Sequence, residues 1–499
     1  MAKMKTPGVY ITEKNAFPNS IAEVATAVPA FIGYTEKAEN AGKSLQNTAT
    51  RITSMGEYIQ LFGGAPKYQY LLSTTSENKG YSLKRSGEKY NLFNSMRLFF
   101  ENGGAACYII SVGSYNDPIT ITSLMDNGLS PLLKEEEPTM VIVPEAVYLK
   151  EEDCTTLQRA VLNHCGTAQN RIGVLDIYDG YKARNHSEGD VIDNFRNALP
   201  EDSLSYGVAY YPWLNTTVVS DSELGLANLT NDSLAVLKDL MLTELNVPVE
   251  KEGNEAAKTT ELREILNSIP CINEEGYKGP GIQELDKILI AISPTYNDIR
   301  KDIKTQLNLL APGAAMAGIY TQVDNERGVW KAPANVPLNA VVSPSVNISH
   351  HDQEDLNVTL NGKSINAIRA FADQGVMVWG ARTLDGNSRD WRYINVRRTM
   401  IMLEQSIKVA AKAYVFEPND AGTWTVIKSM IDSFLFDQWK QGALVGASPH
   451  DAYAVSVGLG STMTAIDILD GILRISVLVA VSRPSEFLEI TFQQQMQKS

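Results

Sequence analysis

Cysteine is scarce in this chain and scattered. Cys107, Cys154, Cys165 and Cys271 form no CxxC pair and no zinc-like ligand spacing, so reduced structural thiols are expected, with no disulfide and no metal site. Long apolar runs are lacking too. The longest, around residues 475–481, is far short of the ~20 residues that cross a bilayer, and MAKMKTPGVY lacks the apolar segment of a secretory signal. Cytoplasmic synthesis without membrane insertion is the expectation. Positive charge is short as well: 44 Lys and Arg stand against 58 Asp and Glu, a formal net charge of -14. That balance opposes the counterion release from which nucleic-acid binders gain most of their affinity, so no nucleic-acid partner is expected.

Catalytic signatures are equally thin. No G-x-S-x-G is present to expose a nucleophile. Gly458-Leu459-Gly460 follows an apolar segment as a dinucleotide fingerprint does, but Met463 holds the third glycine position and no acidic residue lies near position 480. Ser349-His350-His351-Asp352 contains hydrolase letters that, being adjacent, do not converge on one centre, and a solvated loop explains them. His164, Cys165 and Cys154 fall on a helical pattern whose burial accounts for the thiols. The N-x-[ST] sequons at Asn215, Asn228, Asn347 and Asn357 carry no meaning without a secretory signal. No catalytic, cofactor-binding or metal-ligating residue is assigned, and a soluble α/β dinucleotide-binding enzyme built on the Gly458 turn is the distant alternative.

Ample apolar content is present. At 499 residues with 44% hydrophobic and 20% charged residues, the chain has the makings of two or three globular domains. Strand and helix patterns alternate: strands at 27–35 and 107–112, a helix opened by the Ser54/Glu57 capping box and stopped at Gly63, a helix at 91–101, then strand 140–144, helix 154–165, strand 171–177, helix 191–199 and strand 206–211. This is a mixed α/β class built around a parallel or mixed sheet. Residues 65–90 are polar and read as a loop. Residues 215–290 hold fourteen acidic against six basic residues and show helical apolar stripes at Leu234, Leu237, Met241 and Leu245 and at Ile282, Leu285, Leu289 and Ile292. Residues 296–310 read as a further helix with Ile299, Ile303, Leu307 and Leu310 on one side, stopped by Pro312-Gly313.

The densest patterning lies in residues 375–414. Residues 376–384 read as a strand, Asp385-Gly386-Asn387-Ser388 as a turn, and Trp391 to Val396 as a second extended segment. From Arg397 the period becomes helical, with Met400, Leu403, Ile407, Ala410 and Tyr414 on a core face and Arg398, Ile401, Gln405, Lys408 and Lys412 on a largely basic flank. Thr423 is positioned to cap a helix running to Gln441, with Ile427, Ile431 and Phe434 inward. A short helix follows at 461–470. Residues 472–481, apolar on both faces, suggest a central strand. Short extended segments close both ends: Val9, Tyr10, Ile11 and Thr12, and then Leu488, Glu489, Ile490, Thr491, Phe492 and Gln493, with Leu488, Ile490 and Phe492 facing one way. An unpaired amphipathic strand recruits other chains, so the ends serve either as β-addition arms or pair within their own domain or fray.

TPGVYITE at the start, TAVPAFIGYTE at 26–36, YYPWL at 210–214, AGIYTQVDNERGVWKAPANVPL at 317–338, WGARTL with WRYINVRR and its long helix, and VFEPND occur in the order found in contractile tail sheath proteins. The chain resembles that family over most of its length outside residues 215–290. The resemblance implies a non-enzymatic structural subunit without cofactor, made in a bacterial cytoplasm for a phage tail or extracellular contractile injection particle. Its implied partners are further copies of itself, an inner tube protein, and baseplate and terminal cap proteins; a paralogue confined to the baseplate or cap end is the near alternative. It further implies intersubunit arms at 1–20 and 485–499 and an inner domain from 21–112 and 313–484. A middle domain from 113–214 and 291–312 and an acidic outer insertion at 215–290 complete the layout. Arg398, Lys408 and Lys412 become candidates for facing the tube. The Arg327 to Pro333 run is expected to be a turn returning the chain to the terminal domain.

Overall fold

A computed structural model of the chain describes residues 21–75, 80–185, 189–248, 257–273, 277, 279–359 and 362–489. It divides into two compact units. The larger comprises residues 27–326 and 333–394, and the smaller, terminal unit comprises residues 1–26, 327–332 and 395–499.

The larger unit is organised by a nine-stranded sheet. Its strands in chain order are β1 (Pro29–Thr35), β2 (Thr50–Ile52), β3 (Cys107–Ser114), β4 (Met140–Ile142), β5 (Ile172–Asp176), β6 (Gly207–Tyr211), β7 (Val336–Pro337), β8 (Asn366–Phe371) and β9 (Gly375–Trp379). They lie side by side as β7-β9-β8-β6-β5-β4-β1-β3-β2. The run from β8 to β3 is parallel, and the flanking pairs are antiparallel. Parallel strands covered on both faces read as continuous apolar runs, and β1, β4, β5 and β6 are buried at every residue. Helices Glu151–Ala168 and Val191–Ala198 connect β4 to β5 and β5 to β6 as the alternation predicted. Ser54 accepts the Glu57 N–H at 3.2 Å to open helix Met55–Phe62, and Gly63 ends it at φ +85°. Aromatic packing ties helix Leu92–Glu101 to the sheet, with the Phe31 and Phe99 ring centroids 5.1 Å apart.

Three expectations for this unit are corrected. Residues 27–112 and 333–394 do not join the chain's terminal domain, because β1 and β3 pair with one another, β1 also pairs with β4, and β8 pairs with β6 in this one sheet. The expected loop at 65–90 contains a hairpin, Gln69–Thr74 with Tyr81–Ser86; only Tyr70 and Leu72 of it are buried, so its polar composition hides the strands. The helix expected at 296–310 stops at Leu307, with Leu309–Leu310 a short strand, and Pro312 is followed at once by an unexpected helix, Gly313–Arg327, whose first nine residues are all buried, leaving no amphipathic stripe to detect.

The acidic segment does form helices, Asn231–Glu244, Ala257–Ser268 and Ile282–Ile292, with Leu234, Leu237, Met241, Leu285 and Leu289 buried. It is tied into the larger unit rather than hung from it. Leu72 N–H donates to Ser233 Oγ at 2.8 Å, Asn228 Nδ2 donates to the Tyr68 carbonyl at 3.1 Å, and Arg97 makes a two-bonded fork to Glu223 at 2.8 and 3.0 Å.

The terminal unit packs helices Ile394–Ala411, from Asn395 onward, and Ala421–Gln441 against a two-stranded sheet, β10 (Tyr453–Val457) with β11 (Ile475–Val479). Leu403, Ile427, Ile431, Phe434 and Val455 are buried in its core, where Met400, Ile407, Ala410 and Tyr414 also pack, as the helical spacing predicted. Three details differ. The long helix begins at Ile394, not Arg397, so of the expected strand Trp391 to Val396 only Trp391 to Tyr393 lies outside it, as a turn with one isolated bridge from Tyr393 to Arg382. Asp420, whose side chain accepts the Thr423 N–H at 2.9 Å, is the cap of the next helix in place of Thr423. Residues 472–481 are not a central strand: β11 pairs only with β10 among the described residues, and its Leu478 is exposed.

Candidate assembly interface

The long helix of the terminal unit is held by its buried polar residues. Asn395 Nδ2 donates to the Trp330 and Ser482 carbonyls at 2.8 and 3.0 Å, and Ser406 Oγ accepts the Val24 N–H at 3.0 Å. These bonds gather residues 21–26, the 327–332 crossing and the last described strand region around one helix. The expected return at 327–332 is a brief visit, since the chain leaves this unit again until residue 395.

The basic flank of that helix divides in two. Arg398 is buried, and its Nη2 donates to the Thr26 carbonyl at 3.0 Å, so it holds the chain in place instead of presenting charge. That corrects its assignment as a tube-facing residue. Ile401 on the same flank is buried, whereas Lys408 and Lys412 are exposed. Glu404 lies 3.6 Å from Arg397, and burial raises its carboxyl above the usual range against the pull of that guanidinium.

The sheet beside the helix is half finished. Val455, Val457, Val477 and Val479 face the Ala421–Gln441 core while Ala454, Ser456, Ser476 and Leu478 are exposed on the other face. Each strand keeps one edge without a β-partner among the described residues, the situation proteins ordinarily avoid. Leu488 and Glu489, the first residues of the expected C-terminal arm strand, are exposed and in no strand. Val9, Tyr10, Ile11, Thr12, Ile490, Thr491, Phe492 and Gln493 lie outside the described residues.

Motifs with a chemical look resolve into structure. Ser349 caps helix His350–Asn357, accepting the Asp352 N–H at 3.1 Å and donating to its carboxylate at 2.6 Å. The Gly458 turn leads into the antiparallel partner β11 through a five-residue helix, Ala465–Leu469, whose N-terminus already holds Asp467. A parallel crossover is what a dinucleotide site requires. Burial pushes the thiols of Cys154 and Cys165 up to about 12, well away from reactivity.

Two residues that the sequence did not single out occupy the place where open α/β sheets ordinarily take ligands, the carboxyl edge beside the point where strand order reverses, here between β1 and β4. Glu145 follows β4, and its Oε1 accepts the N–H groups of Asn91 and Leu92 at 3.0 and 2.8 Å. Asp176 ends β5 and accepts the Gly313 N–H at 2.8 Å. Each carboxyl thus fills the anion-attracting start of a helix with the chain's own group. Gly33 is required for this, since a Cβ there would lie 2.4 Å from Glu145 Oε2. Burial raises both groups to about 7 despite the N–H donors.

Comparison with known proteins bears on the terminal unit first. Residues 387–492 match the phage tail sheath C-terminal domain family. Over the whole length the chain is similar to the sheath of an extracellular contractile injection system, PVC, in the contracted state: 26% identity, TM-score 0.62, 99% of both chains covered. Its terminal part thus matches the tail sheath C-terminal domain, and its whole length resembles contractile injection-system sheaths. The contracted helical sheath of the anti-feeding prophage is matched with the same identity and TM-score over 99% of this chain and all of that one. Among curated relatives, the tail sheath protein of Vibrio phage KVP40 is 30% identical over 125 residues, 24% of this chain and 18% of the relative. A prophage major tail sheath protein of Pseudomonas aeruginosa strain UCBPP-PA14 is 29% identical over 152 residues, 37% of its length. The chain therefore aligns with well under two thirds of either curated relative, while it spans the injection-system sheaths end to end.

Proposed function

We propose that this sheath protein is the repeating structural subunit of a helical sleeve that surrounds an inner tube and drives it through a target envelope on contraction. The observation that carries the reading is the likeness over 99% of the chain to an injection-system sheath in its contracted state. Copies assemble in a stretched, higher-energy array held by a kinetic barrier and convert to a shorter, wider one. Conformational gaps are typically a few kcal/mol per subunit, and many copies act together. The protein works without catalysis or cofactor, is made in a bacterial cytoplasm, and joins a phage tail or injection particle with tube, baseplate and cap proteins as partners.

The open edges of β10 and β11 suit β-strand addition, and residues 9–12 and 488–493 are the strands proposed to be donated to neighbouring copies. Lys408 and Lys412 are the charges proposed to face the tube, as partly solvated ion pairs that position subunits and release under force. A second reading, a paralogue confined to the baseplate end, is favoured by 27% identity to a chain of the anti-feeding prophage baseplate; copy number per particle separates the two.

Stepwise warming of particles carrying the protein, followed by imaging, tests the stored-energy mechanism. Sheaths should shorten and widen irreversibly, and reversible or absent length change contradicts it.

A further inference from the structure

Among the described residues of the terminal unit, one large aromatic side chain is left wholly in solvent. Phe416 is fully exposed, and its backbone sits at φ +73°, a left-handed conformation that costs a bulky residue energy. The surrounding chain holds it there. Asn419 donates through Nδ2 to the Ile472 carbonyl at 3.1 Å and accepts at Oδ1 from Trp424 Nε1 at 2.7 Å, while Asp420 caps the following helix. The Asn419 bond also sets this loop beside the turn after helix Ala465–Leu469, where Leu469 and Ile472 are exposed in their turn, as is Val415 next to Phe416.

Scattered exposed apolar residues need no explanation, but a group braced in a strained conformation does. The charges nearby indicate what covers it. Glu417 and Asp470 at its margin are exposed and acidic, and the same unit presents exposed Lys428 and Lys440 on helix Ala421–Gln441. A copy of this chain therefore carries cations suited to the acidic margin. Contact between two different patches on identical chains runs head to tail and propagates into a helix.

We propose that Phe416, with Val415, Leu469 and Ile472, forms a docking surface for a second copy of this chain, with Phe416 as its anchor and independent of the terminal arms. The proposal rests on the reading of the chain as a sheath subunit. Its test is the concentration at which purified full-length protein polymerises, followed by light scattering and sedimentation. Phe416→Ala should raise that concentration about thirty-fold or more, the usual effect of truncating a central aromatic anchor. Leu469→Asp should act in the same direction, Phe416→Trp should retain most assembly, and thermal unfolding of the unassembled variants should match wild type. Phe416→Ala polymerising at the wild-type concentration overturns the docking surface. So does a variant that polymerises normally and fails only to load onto tubes, which would move the anchor to the tube protein. If wild type forms no polymer at any concentration, the sheath-subunit reading itself fails, a result distinct from failure of this surface alone.

Discussion

The two units of the chain differ in how completely they bury themselves. The larger has a nine-stranded sheet with helices wound about it, whereas the terminal unit has, among the described residues, two strands and two long helices. Among the described residues, twelve of the twenty large apolar side chains that stand exposed belong to the terminal unit, although it is the smaller. A core of ordinary proportions covers such groups unless another chain does so. On the proposed reading the assembly energy resides in the terminal unit: its exposed apolar side chains are the surface proposed to be covered by other copies of the chain, while the larger unit buries more of its own.

The comparison breaks most decisively at the chain's end. Deleting residues 485–499 should abolish polymers while leaving a cooperatively folded protein, because the described part of that segment, Glu486 apart, is exposed and contributes little to the core. Circular dichroism with electron microscopy reads both properties, and normal polymers from the shortened chain would show that the arm is dispensable.

Core truncations probe the two units separately. Phe31→Ala in β1 should cost about 3–5 kcal/mol and Ile431→Ala in the terminal unit about 2–5 kcal/mol, since both side chains are wholly buried. Denaturant titration measures each loss. The prediction that sharpens the comparison is that assembly partly restores the stability lost in Ile431→Ala, through binding to the native form, and does less for Phe31→Ala.

The strongest pH dependence should come from the larger unit. Glu145 is raised from 4.5 to about 7, so the native chain keeps a proton that the unfolded chain releases across that window. Its contribution is present below pH 4.5 and is lost as pH rises toward 7, on the order of 3 kcal/mol. Asp176 acts in the same direction. His164 acts oppositely: burial, aided by Arg171, lowers it from 6.5 to about 4, and its effect destabilises the fold as pH falls through that range. Glu145→Gln should flatten the loss between pH 4.5 and 7 in chemical denaturation, and an unchanged profile would remove Glu145 as its source.

The smallest effect is expected at the basic pair. Lys408→Glu with Lys412→Glu should leave stability and sheath-only polymers close to wild type, because exposed charges contribute little to folding. Loading onto tubes should fail or become salt-sensitive, and wild-type loading at all salt concentrations would show that this helix end is not an attachment site.

What could be read beforehand follows the same division. Strands β1, β3, β5 and β6 and the helices between them were legible because covered parallel strands are long apolar runs and their helices carry one apolar stripe. Helix Gly313–Arg327 escaped because burial on all sides removes the stripe, and the Gln69–Ser86 hairpin because it buries so little. The helix carrying Lys408 and Lys412 was visible in its spacing. The burial of Arg398 was not, since its partner is a backbone carbonyl at Thr26, hundreds of residues away and silent in sequence. Nor could any pattern announce Glu145, whose role arises from a helix start and a glycine brought to it only by folding.

The central claim, that the terminal unit is completed by other copies of the chain, is tested most directly by electron microscopy of the purified full-length protein across a concentration series. The account predicts long hollow helical tubes above a threshold concentration. Uniform small particles of one or a few copies at every concentration would contradict it.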